Sequence, residues 1–176
     1  MKAIFARPVV ILGLMISMMG LTACGSGGGS TSYFKTVTIS PQTVSIIPDS
    51  TVLASGNTSD AAVTVTLQST PYPGMTNPSP VTIKSSFIRY TKISPAAAAV
   101  IPDQLGGPAG PIPSGSATVF SFVTASGILK DTLVNSGFVP GVQKWQYYVT
   151  YYFTATEDYT NTSLAFSVPG GTITFQ

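Results

Sequence analysis

The chain has 176 residues, no histidine and one cysteine, and only 8% of its residues are charged. The missing histidine excludes Ser-His-Asp and Cys-His nucleophile systems and most zinc sites. A formal net charge of +2 provides no basic surface that could collect phosphates, so we expect no nucleic-acid partner. We also expect no metal ion and no small-molecule cofactor.

The first 23 residues have the layout of a cleaved export signal. Lys2 and Arg7 are the only charged residues among the first 34, and an apolar segment follows them from Pro8 to Gly20. This segment is shorter than the ~20 residues that a membrane-spanning helix needs, and a glycine-rich stretch follows it in place of a basic flank. Cleavage removes two of the eight basic residues, so the mature chain has as many basic as acidic residues.

The segment Leu21-Thr22-Ala23-Cys24 closes the apolar run and resembles the lipobox of bacterial lipoproteins. The resemblance implies that a signal peptidase cuts between Ala23 and Cys24 and that the Cys24 thiol carries a diacylglycerol. Two or three acyl chains would hold the protein at a bilayer, where a single chain binds only marginally. Gly25 stands where inner-membrane lipoproteins have aspartate, which implies the outer membrane of the cell envelope. The alternative is an ordinary secretory signal that contains a cysteine.

We predict a flexible tether over residues 24–32 and a single β domain over residues 33–176. The tether follows from the glycine and serine content of Gly25–Ser32. A domain of about 150 residues buries enough surface to fold without disulfides. No disulfide within the chain is available, because Cys24 is the only cysteine.

Strand periodicity runs through the whole predicted domain. Ala61–Ser69 alternates strictly between apolar and polar residues, and a bulge near Ser85-Ser86 would restore the alternation of a longer strand. The first half of the domain is predicted to contain the strands Tyr33–Ser40, Thr43–Ile47, Thr51–Ala54, Ala61–Ser69 and Val81–Ile93.

The second half begins with Ser94–Ser116, the longest irregular stretch, and loops of that length are usually functional or loosely ordered. Ile128–Val134 fits a helix nearly as well as a strand, and we favour a strand or a connecting segment. Pro169-Gly170-Gly171 separates the last two strands. The strands predicted here are Ala117–Ala125, Val142–Glu157, Leu164–Val168 and Thr172–Gln176.

Eight or nine strands with irregularly spaced turn signals predict an all-β fold, an antiparallel two-sheet sandwich. The long aromatic strand and the strands after it resemble the end of immunoglobulin-like or fibronectin-like domains in bacterial surface proteins. The resemblance implies an immunoglobulin-like sandwich, and a β-barrel is the alternative.

The aromatic residues of Val142–Glu157 fall on both faces of the strand. Trp145 and the alternate residues after it are predicted to form the core, with Trp145 next to Val149 and the opposing sheet. Tyr148 and Tyr152 lie on the other face, about 13 Å apart. If exposed, they would stack on sugar rings or anchor a protein contact. The alternative is that they lie beneath the Ser94–Ser116 loop.

These features favour a membrane-anchored envelope lipoprotein without catalytic activity, acting as a structural, protein-interaction or adhesion module. The membrane is a partner through the lipid, and the second partner is an envelope protein or a glycan. A carbohydrate-binding module is the alternative function. A hydrolase is the third, because two carboxylates can cleave a glycoside. The adjacent pair Glu157-Asp158 is predicted to lie in a turn with diverging, solvated side chains.

Overall fold

The computed structural model describes residues 29–45, 60–107 and 109–176. The predicted signal, Ala23, Cys24, Thr51–Ala54 and the end of Thr43–Ile47 lie outside these residues. In chain order the elements are β1 (Ser32–Tyr33), β2 (Val37–Val44), β3 (Ala61–Pro71), β4 (Val81–Ser94), β5 (Gln104–Leu105), β6 (Gly110–Ile112), β7 (Ala117–Ala125), α1 (Gly127–Asn135), β8 (Trp145–Glu157) and β9 (Thr162–Phe175).

The strands form two antiparallel sheets packed face to face, so the predicted all-β sandwich is confirmed and a closed barrel is excluded. The first sheet has the order β1-β2-β3-β7, and the second has the order β5-β4-β8-β9, with β6 also paired to β4. If β2, β3 and β7 are matched to immunoglobulin strands A, B and E, then β4, β8 and β9 match strands C, F and G. The sandwich therefore has an immunoglobulin-like strand order.

The core lies between the sheets and depends on the alternation of β8. Every second residue of β8 from Trp145 to Phe153 is at most 5% exposed, as the sequence predicts. On the opposite sheet, the ring centroid of Phe122 in β7 lies 5.5 Å from the ring centroid of Tyr151 and 5.7 Å from that of Phe153. Aromatic pairs in this range stabilise a core beyond the area that they bury.

A bulge in β4 changes which residues face the core. Ile83 pairs with Ala155 and Ser85 pairs with Thr154, so Lys84 has no position in the ladder. Before the bulge the odd-numbered residues are buried, and after it the even-numbered residues, beginning with Ser86, are buried. The bulge predicted near Ser85-Ser86 is confirmed.

The C-terminal segment is one strand, not two. Pro169-Gly170-Gly171 was predicted to break it, but β9 continues through this segment with a shift in its pairing to β8 at Gly170. Gly170 packs on the ring of Tyr151, and a Cβ there would lie 2.4 Å from Tyr151 Cε2. The glycine is present because the strand backbone and a buried ring meet at this point, which sequence cannot distinguish from a turn.

The prediction of a strand or connecting segment at Ile128–Val134 is wrong, because this segment lies inside the helix α1. Ser126 caps the helix by accepting a hydrogen bond from Leu129 N at 3.2 Å. Leu129 and Leu133, four residues apart, share the buried face, while Ile128 is 81% exposed. Beyond the helix, Gly137 has a φ of 94°, and Phe138 N donates to Leu133 O.

Trp145→Ala should lower the free energy of unfolding by about 3–5 kcal/mol, because it leaves a cavity in the core. Trp145 is 5% exposed, and its ring meets the Phe138 ring edge-on at a centroid distance of 5.0 Å. We expect the melting temperature to fall by about 10 °C. Tyr148→Ala, on the outer face of the same strand, is the control and should change it little. Equal melting temperatures for Trp145→Ala and the parent would show that Trp145 adds nothing to the core.

Candidate functional site

The candidate site is on the outer face of the second sheet, turned away from the core. Tyr148 is 39% exposed and Tyr152 is partly buried, and both lie on this face. Tyr152 is paired across the strands with Phe87, and Tyr148 with Thr91. The two tyrosines therefore belong to separate rows of the sheet, and among the described residues only Tyr152 has an aromatic neighbour on this face.

Phe87 and Tyr152 form a stacked pair beside a guanidinium. Their ring centroids lie 4.7 Å apart with an interplanar angle of 5°. The Arg89 Cζ atom lies 5.3 Å from the centroid of Phe87 and 5.0 Å from that of Tyr152. A guanidinium at this distance is attracted by the negative ring faces. One arginine therefore interacts with both rings.

Asp103 fixes the position of this guanidinium. Arg89 Nη2 donates to Asp103 Oδ2 at 2.7 Å, and Arg89 Nε donates to Oδ1 at 3.1 Å. These hydrogen bonds raise the pKa of Arg89 and lower the pKa of the Asp103 carboxyl. Both side chains are substantially exposed, at 48% and 40%, so the pair contributes little to stability. Its effect is to hold Arg89 in one orientation beside the rings.

Leu105 extends this group to the edge of the sheet. It pairs with Phe87 across β5 and β4 and is 90% exposed. We call the set Phe87, Arg89, Asp103, Leu105 and Tyr152 the aromatic–arginine cluster. The cluster combines two stacked rings, a fixed cation and a bare apolar side chain on a rigid sheet, a composition typical of protein contact surfaces.

The Ser94–Ser116 loop borders the cluster without burying Tyr148. Ala98 and Ile101 of the loop are buried, and Ala99 O accepts a hydrogen bond of 2.8 Å from the hydroxyl of Tyr147, a core residue. The part of the loop around residues 98–101 therefore packs on the core side of the sheet. Asp103 and Leu105 lie with the cluster, and the short strands β5 and β6 extend the edge of β4. The alternative that the loop covers both tyrosines is wrong for Tyr148.

Glu157 was predicted to lie in a turn with a solvated side chain, and this prediction is wrong. Glu157 is the last residue of β8 and is fully buried. Its Oε1 accepts from Thr36 N at 2.8 Å and from the Thr36 hydroxyl. Its Oε2 accepts from Lys35 N at 3.2 Å and from the Thr160 hydroxyl. The error arises because two adjacent charges after a strand look like a surface turn, whereas the donors Lys35 and Thr36 come from a distant part of the chain.

The environment of Glu157 stabilises its ionised form. Burial by itself raises the pKa of the carboxyl, but the hydrogen bonds from Thr160, Thr36 and Lys35 outweigh it and bring the pKa below its ordinary value. The neighbouring Asp158 accepts a hydrogen bond from the Thr82 hydroxyl at 3.0 Å. Both oxygens of Glu157 are thus occupied by protein donors, which is the arrangement of a structural carboxylate and not of an acid–base pair.

The sequence identified Tyr152 but not Phe87, Arg89, Asp103 or Leu105. Phe87 and Arg89 come to the outer face only because of the bulge at Lys84, and Leu105 joins them through a long-range strand pair. An aromatic followed two residues later by arginine in a strand was the available signal, but it did not show which face the two residues share.

Within residues 29–45, 60–107 and 109–176, no group of three or more Cys, Asp or Glu side chains is placed to hold a metal ion. In the same ranges no helix has the length and apolar character needed to cross a membrane. Comparison with models of protein families, with curated proteins and with solved structures finds no match.

Glu157→Gln should lower the free energy of unfolding at neutral pH by about 1–3 kcal/mol, because an amide nitrogen would replace one buried acceptor. The folded-state pKa of Glu157 is lowered. The stability that the carboxylate supplies is thus complete above the unfolded value of about 4.3 and is lost as the pH falls through the folded value. The wild type should lose stability in this acid range, and Glu157→Gln should lose less.

Urea unfolding over a series of pH values measures this difference. Asp103→Asn is the control, because it removes an exposed carboxylate whose pKa is also lowered. The free energy of unfolding of Asp103→Asn should fall with decreasing pH nearly as much as that of the wild type. Parallel stability curves for the wild type and Glu157→Gln would show that Glu157 does not cause the acid sensitivity.

Proposed function

We propose that the protein is a lipid-anchored lipoprotein of the cell envelope that acts as a protein-interaction module. The lipobox-like segment Leu21-Thr22-Ala23-Cys24 supports the anchor, and the outer membrane is the proposed address. The aromatic–arginine cluster carries the proposed interaction, because it places two partly exposed stacked rings and a fixed cation beside the exposed Leu105. No catalytic activity is proposed.

A protein partner fits the cluster better than a sugar does. Tyrosine and arginine are enriched among the residues that dominate protein binding energy, and Leu105 offers an apolar contact beside them. A sugar platform needs an open ring face, and Tyr152 already stacks on Phe87 and interacts with Arg89. Carbohydrate binding remains the second candidate, because the exposed Tyr148 has no aromatic neighbour among the described residues.

Leu105→Asp should weaken partner capture about tenfold or more, because it replaces the most exposed apolar side chain of the cluster with a charge that the contact would have to bury. The measurement is quantitative cross-linking of the full-length protein in intact envelopes, with captured proteins compared between variants by mass spectrometry. Ile128→Asp is the matched control, since Ile128 is 81% exposed and lies on α1, outside the cluster. A protein captured by the parent and by Ile128→Asp but lost with Leu105→Asp supports the proposal.

Two results would contradict it. Equal capture by both variants would mean that the cluster is not the contact surface. Retention of the protein on a glycan array, abolished by Tyr148→Ala and kept by Leu105→Asp, would replace the protein-interaction proposal with the carbohydrate-binding one.

Cys24→Ser should abolish lipidation, because transfer of the diacylglycerol needs a thiolate and a serine hydroxyl ionises far less readily. We expect the variant to be exported poorly or released in soluble form, while the wild type partitions into detergent. Mass spectrometry of the N-terminal peptide measures the modification directly. A wild-type peptide that begins at another residue, or at an unmodified Cys24, would remove the membrane address.

A further inference from the structure

β7 is an edge strand of the first sheet. Its one neighbour is β3, and no strand in the described part of the chain pairs with its other edge. Immunoglobulin domains have strand D at this position, beside strand E. Unpaired edges are usually protected by lysine, proline or a covering segment, because they offer free backbone groups to any second strand. β7 contains no charged residue and no proline.

The sequence of β7 is a palindrome. Ala117–Ala125 reads Ala-Thr-Val-Phe-Ser-Phe-Val-Thr-Ala, with Ser121 at its centre. If two copies of the strand pair antiparallel about Ser121, every residue lies opposite a residue of the same type. A symmetric dimer presents the same surface from both subunits, so such a strand is self-complementary along its whole length.

The direction of the backbone groups allows this register. Ser69 N, at the end of β3, donates a hydrogen bond to Ser116 O at 2.9 Å. Along an antiparallel strand, every second residue makes its main-chain hydrogen bonds to one neighbouring strand, and the residues between them point to the other side. In β7 the even-numbered residues therefore bond to β3, and the odd-numbered ones direct their N–H and C=O groups to the free edge. Ser121 is odd-numbered, so a twofold axis at Ser121 brings free groups opposite free groups.

The side chains agree with the backbone. Val119 and Val123 are 60% and 46% exposed on the outer face of the sheet. In the register centred on Ser121, Val119 of one copy lies beside Val123 of the other. The twofold axis produces this valine pair twice, so all four exposed valines are partly covered in the dimer. Cross-strand pairs of β-branched residues stabilise sheets.

We propose that the protein forms a symmetric dimer in which the β7 edges of two copies pair antiparallel about Ser121. The two four-stranded sheets become one continuous sheet, joined by about six main-chain hydrogen bonds from Val119, Ser121 and Val123 of both copies. The pairing ends near Thr124, where β7 shifts its register with β3 and the Thr124 carbonyl accepts a hydrogen bond from the Tyr90 hydroxyl. The dimer does not depend on the aromatic–arginine cluster.

Site-specific cross-linking tests the register. Ser121→Cys places two thiols opposite each other on the axis, with Cα atoms about 5.5 Å apart, within reach of a disulfide or a short bifunctional maleimide. The full-length chain should give a covalent dimer in its membrane. Ala62→Cys is the matched control, since Ala62 is exposed on the same face but lies on β3, one strand further from the axis. The parent chain, in which Cys24 is the only cysteine, shows how much covalent dimer forms through Cys24 itself.

Charge substitutions test whether the edges pair in solution. Val119→Lys with Val123→Lys should convert the purified full-length protein to a monomer in analytical ultracentrifugation, because like charges would lie opposite each other. Val119→Lys with Val123→Glu should restore the dimer, since opposite charges then meet at both ends of the interface. Both positions are exposed, so neither variant should change the thermal unfolding of the monomer by more than a few degrees.

Three results would overturn the proposal. The first is that the parent protein remains a monomer in analytical ultracentrifugation even at the high local concentration expected of a membrane-anchored protein. The second is equal cross-linking through Ser121→Cys and Ala62→Cys, which marks random collision. The third is a dimer that both charge variants leave intact, which assigns the interface to another surface.

Discussion

The two sheets are joined at one end by the carboxylate of Glu157, and this contact determines how the strands at that end are arranged. Glu157 ends β8 in the second sheet, while Lys35 and Thr36 precede β2 in the first. The Thr36 hydroxyl in turn accepts a hydrogen bond from Ser79 N, just before β4. A buried carboxylate is costly unless hydrogen bonds satisfy it, so the backbone turns from both sheets must stay in place around it.

With the sheets fixed at that end, the alternation of β8 divides its residues between the core and the outer face. The bulge at Lys84 then decides what meets Tyr152 on that face. Without the extra residue, Phe87 would share the parity of Val81 and Ile83, which are buried. The aromatic–arginine cluster is thus a consequence of one inserted residue in β4, in keeping with the tendency of bulges to redirect functional side chains.

Sequence periodicity predicted the parts of the fold that depend on local pattern. The parity of β8, the strand at Ala61 and the bulge in β4 follow from alternation over a few residues. The helix α1 was missed because Leu129 and Leu133, four residues apart, would share one face of either a helix or a strand, and a serine before an apolar segment is common in both settings. Glu157, Gly170 and most of the cluster were missed because their roles come from residues that are distant in sequence.

The proposed dimer and the proposed interaction surface are compatible, because they use different parts of the sandwich. The twofold axis of two antiparallel edge strands is perpendicular to their common sheet, so both copies leave their tethers at the same level along that axis. A membrane perpendicular to the axis can hold both lipid anchors. Each dimer then carries two aromatic–arginine clusters on the second sheets. Two weak contacts on one anchored particle bind far more tightly than either alone, because the second forms at high effective concentration. A small neutral domain can in this way bind firmly through a surface of few residues.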